Sequence, residues 1–241
     1  MNTKPKNLKF ILGIIYFVVL ATGLYFLFSV VSIQDLTSYE FIRSNKDIIL
    51  KYKNENFLFL TTIFFIFTIV WMLFLGFITP FLLFSGFVFG KWWGILIILT
   101  STTIGATLLY ILAGYFLRDL IEQKLAPKFS KLREFFKKND ILYFMCFRFA
   151  GGAGAPNPIQ NILPVLFDMP IKNYFIATFL GNLPLMFVTV ALGSGIEKVI
   201  DQNEELSFST VILSPEIYTP MIIFFIILLI AFVIKKLYLK Q

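Results

Sequence analysis

The sequence predicts an all-α integral membrane protein, a multi-span helical bundle with two inverted re-entrant helical hairpins. Three observations carry that expectation. The first is composition. Of 241 residues, 58% are hydrophobic and only 15% are charged, against roughly 25% charged in soluble domains. Mean hydropathy is +0.83. The second is the placement of charge between apolar blocks, which fixes how many times the chain crosses. The third is a glycine- and proline-rich break inside an apolar block. Residues 148–161 read RFAGGAGAPNPIQN. Proline removes backbone donors, and glycine adds backbone entropy. Backbone broken at membrane depth must be buried in protein or line a wet cavity.

The elements follow in order. Residues 1–56 are expected to form an N-terminal transmembrane helix, about 10–31, and a polar loop. Its apolar run is longer than the roughly 7–15 residues of a signal peptide, so an uncleaved span is expected. Residues 57–195 form the expected core. Residues 196–241 supply a loop with five acidic residues and a last helix over about 218–234. Seven lysines and arginines lie in 118–140. The positive-inside rule therefore places both termini and that stretch in the cytoplasm.

Parity then constrains 57–117. The block starts outside and must end inside, yet its length would suit two spans. A hairpin over 57–90, turning near 76–80, followed by one crossing over 93–117, solves this. The second half repeats the pattern inverted. Residues 141–167 form a hairpin broken at 151–158, and 173–195 cross outward. Such inverted repeats are the build of many transporters. Gly86, Gly90, Gly151, Gly152, Pro156 and Pro158 are the expected structural positions of the two hairpins. Gly86, Gly90 and Gly94, spaced by four, read as one smooth helix face. Ser85 and 100–103 supply hydroxyls that ordinarily bond the preceding turn. Lys91, Trp92 and Trp93 read as an interface anchor. Residues 119–140 carry apolar positions at helical spacing with lysines opposite, either a surface-lying amphipathic helix or a linker packed under the protein.

Function classes are narrowed by what is missing. There is no histidine and one cysteine, Cys146, so no disulfide within the chain and no Cys/His metal site is expected. Cys146 is expected to be a small buried residue. No phosphate-cradling or nucleophile motif occurs. The chain is therefore read as a non-enzyme without cofactor or metal, and its net charge of +7 as headgroup contact and topology, with no nucleic-acid partner.

Arg148 is the leading candidate for chemistry. A central membrane arginine costs roughly 2.5–3.5 kcal/mol on insertion scales. No Asp or Glu lies in 57–117 or 141–167, and Asp168 could reach Arg148 only if the chain folds back. An unpaired guanidinium beside broken backbone suits a phosphate. The alternatives are that Arg148 caps carbonyls freed by the break or snorkels to the surface. Asn157, Gln160, Asn161 and Asn182 complete the candidate substrate-binding set, as amides that satisfy either broken backbone or a polar ligand.

Over about residues 80–195 the chain resembles the VTT-domain family, also called SNARE-associated Golgi protein-like, of the DedA superfamily. The matching pieces are Phe81-x4-Gly86-x3-Gly90-x3-Gly94; Gly105-x4-Tyr110-x3-Gly114; Phe147 with Arg148; Pro156-x4-Asn161; and Phe175-x2-Thr178-x2-Gly181-x2-Pro184-x8-Gly193. The resemblance implies two facing re-entrant hairpins, movement of lipid between leaflets, and a functional role for Arg148. Its implied partners are membrane lipids, an anionic phospholipid or a polyprenyl phosphate. Bacterial DedA members carry acidic residues in or near the first hairpin, linked with proton dependence. This chain has none there, and Gly151 stands where the family's arginine-x-x-proline has its proline. The expected activity is thus scramblase- or flippase-like without proton coupling. A small-solute or ion transporter and a membrane scaffolding protein are the rival classes.

Overall fold

The computed structural model describes residues 51–73, 78–124 and 138–202, with isolated positions elsewhere. The expected first span (10–31), the acidic loop, most of the 119–140 stretch and the last helix lie largely outside the described residues. Among the described residues every regular element is helical. We label them α1 (Phe57–Leu73), α2 (Thr79–Lys124), α3 (Asp140–Phe149), α4 (Asn157–Ile162) and α5 (Ile171–Gln202). Short 3-10 segments occupy Gly151–Gly154 and Leu163–Phe167.

α1 and the start of α2 run antiparallel. Phe57 meets Phe89, Phe64 meets Phe84, and Trp71 meets Phe81, so rising numbers on one limb pair with falling numbers on the other. The segment that joins them, 74–77, where most of the expected turn over 76–80 falls, lies outside the described residues. Pro80 is not part of that turn. It sits in the first turn of α2, where its missing N–H would be unpaired anyway.

α2 is two helices. Gly90 has φ 75° and ψ 173°, a conformation open to glycine and strained for side chains with a Cβ. The chain doubles back there: the Ser85 hydroxyl donates to the Gly94 carbonyl at 2.9 Å, across nine residues that a straight helix would hold about 13 Å apart. The expected continuous glycine face over positions 86, 90 and 94 is therefore corrected, because the left-handed residue between them reverses the chain. Gly86 faces α5, where a Cβ would come 1.9 Å from the Val190 carbonyl oxygen, and a Cβ on Gly94 would come 2.7 Å from that of Ser85. Ser85 is corrected too, since its hydroxyl spans the reversal. Ser101 and Thr102 do bond the preceding turn, at Ile98.

The second unit repeats the plan. α3 rises to the break, α4 and the 3-10 segment return, and Asp168, the one described non-glycine residue with positive φ (52°), precedes the turn into α5. Pro156 caps α4 and Pro158 lies in its first turn. Asn173 donates to both carboxylate oxygens of Asp140, at 3.1 and 2.9 Å, and so fixes the root of α3 to the start of α5.

α5 is the shared spine. Its start holds the second hairpin, with Gly181 against Met145 and Arg148. Its far half holds the first, with Gly193 against the Leu83 carbonyl. The hairpins thus come from opposite ends of α5, and Met72, beside the first tip, packs in one cluster with Ala106, Phe144 and Tyr174. Thr79–Arg118 and Ile171–Gly195 are long and apolar enough to cross a membrane by length and composition; because the chain reverses at Gly90, the crossing part of the first is the stretch beyond that glycine.

Candidate functional site

Arg148 lies in the last turn of α3, one residue before its end, and is only 2% exposed. Its Nη2 donates to Asn161 Oδ1 at 2.5 Å and to the Tyr174 hydroxyl at 3.0 Å. Its Nη1 donates to Gln160 Oε1 at 3.3 Å. The guanidinium also lies over the Phe144 ring, 5.0 Å from its centroid. Nε, buried, has no hydrogen-bond partner. Every described partner of this cation is therefore neutral. A buried charge held by neutral dipoles alone keeps its field, and an anion is the species that field favours.

The local fold explains the placement. The break lets α4 fold back beside α3, so residues twelve and thirteen further along reach Arg148. Gly152 (φ 67°) makes room, because a Cβ there would sit 2.0 Å from Gln160 Cδ. Gly181 lets α5 close on the same point, since a Cβ would come 2.7 Å from that of Arg148.

The freed carbonyls of the break are taken by Gln160, whose Nε2 donates to Ala155 at 2.7 Å and Gly151 at 3.3 Å. Arg148 neither caps those carbonyls nor snorkels. Asp168 does not reach Arg148 either. It pairs with Arg118 at 3.0 Å and with Arg133. Asn161 is 1% exposed and fully part of the site. Asn157 and Asn182 are half-buried on α4 and α5, with no hydrogen bond joining them to Arg148. Cys146, expected to be buried, is exposed, because α3 presents that face outward.

Sequence reasoning missed Tyr174 and Tyr110. Tyr174, fully buried, takes a hydrogen bond from Arg148 and lies 3.3 Å from both the Ala106 carbonyl and Asn161 Oδ1. Its ring stacks on Tyr110 at 4.5 Å and 12°, and the Tyr110 hydroxyl donates to the Met169 carbonyl at 2.5 Å. Within the lysine-rich stretch, Phe136 stacks on Phe167 at 4.2 Å, so that part packs under the protein.

Apolar helices, two antiparallel hairpins and a buried cation with no charged partner among the described residues define a helical membrane protein built around an internal polar site. Residues 77–195 match the family model of the VTT domain, and the chain belongs to that family through this segment. It is similar to a Transmembrane protein 41 homolog of Caenorhabditis elegans, 28% identical over 54% of this chain and 53% of the relative. A homolog of the same name from Dictyostelium discoideum is 28% identical over 69% of this chain and 50% of the relative. Transmembrane protein 41B of Mus musculus is 28% identical over 53% and 44%. The chain spans about half the length of the curated relatives it matches. No solved structure matches.

Proposed function

We propose that this chain is a non-enzymatic membrane protein that moves a phosphate-bearing lipid between leaflets without proton coupling. In this reading the hairpins are re-entrant. The limb 79–89 is about 16 Å long at 1.5 Å per residue, roughly half of a ~30 Å hydrocarbon core. The second hairpin's rising limb, ten residues, is of similar length. The observation that carries the reading is Arg148, 2% exposed and held only by neutral partners among the described residues.

The lipid phosphate would displace Asn161 or Gln160 from the guanidinium and take a bidentate pair of hydrogen bonds. The displaced amides would then bond the phosphate's other oxygens or the headgroup. The acyl chains stay in lipid throughout. The barrier falls because the charged headgroup exchanges water for a preset cation and amides instead of for hydrocarbon. With no acidic residue in 57–117, that step draws on no proton gradient.

The test is leaflet exchange in vesicles. Protein is reconstituted with a headgroup-fluorescent phospholipid, and dithionite bleaches what reaches the outer leaflet. The bleached fraction should rise above the outer-leaflet share. A fraction equal to that of empty vesicles, for several phospholipids, would overturn the proposal. The enclosure of Arg148 favours one second reading, a carrier for a small anionic solute. Substrate-dependent anion flux without lipid exchange in the same vesicles would select it.

A further inference from the structure

The glycine turn between α3 and α4, Gly151–Gly154, rests on one side chain. Gly151, Gly152 and Gly154 have φ of 68°, 67° and 77°, a conformation that glycine adopts readily. Gly151 and Gly154 are exposed, and a Cβ on either would meet nothing within 4 Å. The inner side differs. Gly152 is buried directly on the Gln160 amide. The Nε2 of that amide donates to the carbonyls of Gly151 and Ala155, at the two ends of the turn. Among the described residues no other side chain bonds them.

The same amide is the link to Arg148. Its Oε1 accepts from Nη1 at 3.3 Å while its Nε2 is spent on the two carbonyls. A reversed amide would set its oxygen against two carbonyl oxygens, and its NH2 against a guanidinium that can only donate. The turn and the guanidinium therefore each hold the amide in the orientation that the other needs.

We propose that Gln160 is a positioning residue that couples the glycine turn to Arg148, so that the turn is closed while the guanidinium holds the amide and loosens when the amide is released. The coupling stands on these hydrogen bonds; its use as a gate rests on the lipid-moving reading. In that route a phosphate arriving at Nη1 takes the place of Oε1. The freed amide turns its NH2 to the phosphate, and Gly151 and Ala155 lose their bonds. A turn of glycines with open space on its outer side then gives way as the headgroup needs room. Occupancy of the site and access to it become one event.

The experiment is hydrogen–deuterium exchange of the full chain in mixed micelles, read in peptides covering 150–156, with 183–191 of α5 as the internal reference. Gln160→Leu keeps the bulk and loses all three bonds, so turn exchange should rise about tenfold, the scale of two neutral hydrogen bonds. Gln160→Glu still pairs with the guanidinium but has no proton for the carbonyls, and should raise it as much. Arg148→Met removes the hold on Oε1 and leaves the two donations, so the rise should be about threefold, the scale of one interhelical bond. In the Gln160→Leu background Arg148→Met should add nothing, because the coupling passes through the amide. Turn exchange at the wild-type rate in either Gln160 variant would overturn the proposal. So would a rise shared equally by 183–191, or an effect of Arg148→Met that is the same with and without Gln160. A chain that shows this coupling yet no leaflet exchange would instead overturn the proposed function and leave the coupling standing.

Discussion

Tyr174→Phe removes one oxygen and little else. The ring keeps its stacks on Tyr110 and on Phe144, at 4.5 and 5.3 Å, so packing is conserved. What is lost is a hydroxyl that accepts from Arg148 Nη2 at 3.0 Å and donates to the Ala106 carbonyl at 3.3 Å; only the first bond enters the coupling with Arg148. A hydrogen bond to a charged group is worth about 1.5–3 kcal/mol in soluble proteins. Interhelical hydrogen bonds in membranes average nearer 0.6 kcal/mol, because the unfolded chain in lipid also finds partners. The charge places this bond above that average, and the Asn161 oxygen that remains on Nη2 pulls it down. The expected coupling between Tyr174 and Arg148 is about 1–2 kcal/mol. It is read from a double-mutant cycle of wild type, Tyr174→Phe, Arg148→Met and the pair, by reversible unfolding in mixed micelles. A coupling below about 0.5 kcal/mol, the scatter expected of independent sites, would refute the claim that the hydroxyl holds the guanidinium.

Other perturbations act through backbone contact and chain reversal. Gly86→Ala and Gly193→Ala should each destabilise by about 1–3 kcal/mol, since each Cβ would strike a carbonyl oxygen, at 1.9 and 2.1 Å; melting in detergent checks this. Gly114→Ala is the control, with open space at its Cβ and an expected gain of up to about 1 kcal/mol in helix preference. At Gly90, where a Cβ also meets nothing, alanine should cost about 1–3 kcal/mol of backbone strain, and asparagine as much, because positive φ with ψ near 180° is essentially open to glycine alone; a melt of Gly90→Ala equal to that of the wild type would contradict this. Ser85→Ala should cost about 1 kcal/mol through the lost bond across the reversal, seen as a lower melting temperature.

Much of the second hairpin was legible because its chemistry is one-sided. Glycines and prolines between apolar runs leave few structures besides a reversal. The lack of acidic residues at similar depth marked Arg148 as a cation with no charged partner. Asn161 was legible for the same reason, as an amide beside the break. Gly90 was not. Glycine at four-residue spacing fits a close-packed helix face as well as it fits a turn, and only the positive φ distinguishes them. Gln160 was found, but its work on the freed carbonyls depends on how tightly the turn closes at Gly152. Tyr174 was hidden because a tyrosine in an apolar helix has the same pattern as a core or interface residue. A signal was available in its spacing: Tyr174, Thr178 and Gly181 lie on one face of α5, and Gly181 is where α3 comes close. Asn182, one residue on, points the same polarity elsewhere, so type and neighbourhood alone overstated its part. Cys146 showed the converse, since an apolar-preferring residue on an outward face of α3 need not be buried in protein.

The most direct measurement of the central claim is the rate of leaflet exchange in vesicles bearing Arg148→Met or Arg148→Lys, each first shown to melt as a folded protein. The expected result is a loss of tenfold or more for methionine, about 1.4 kcal/mol of barrier, with partial recovery for lysine, which keeps the charge without the planar fork. Exchange by folded Arg148→Met at the wild-type rate would contradict it.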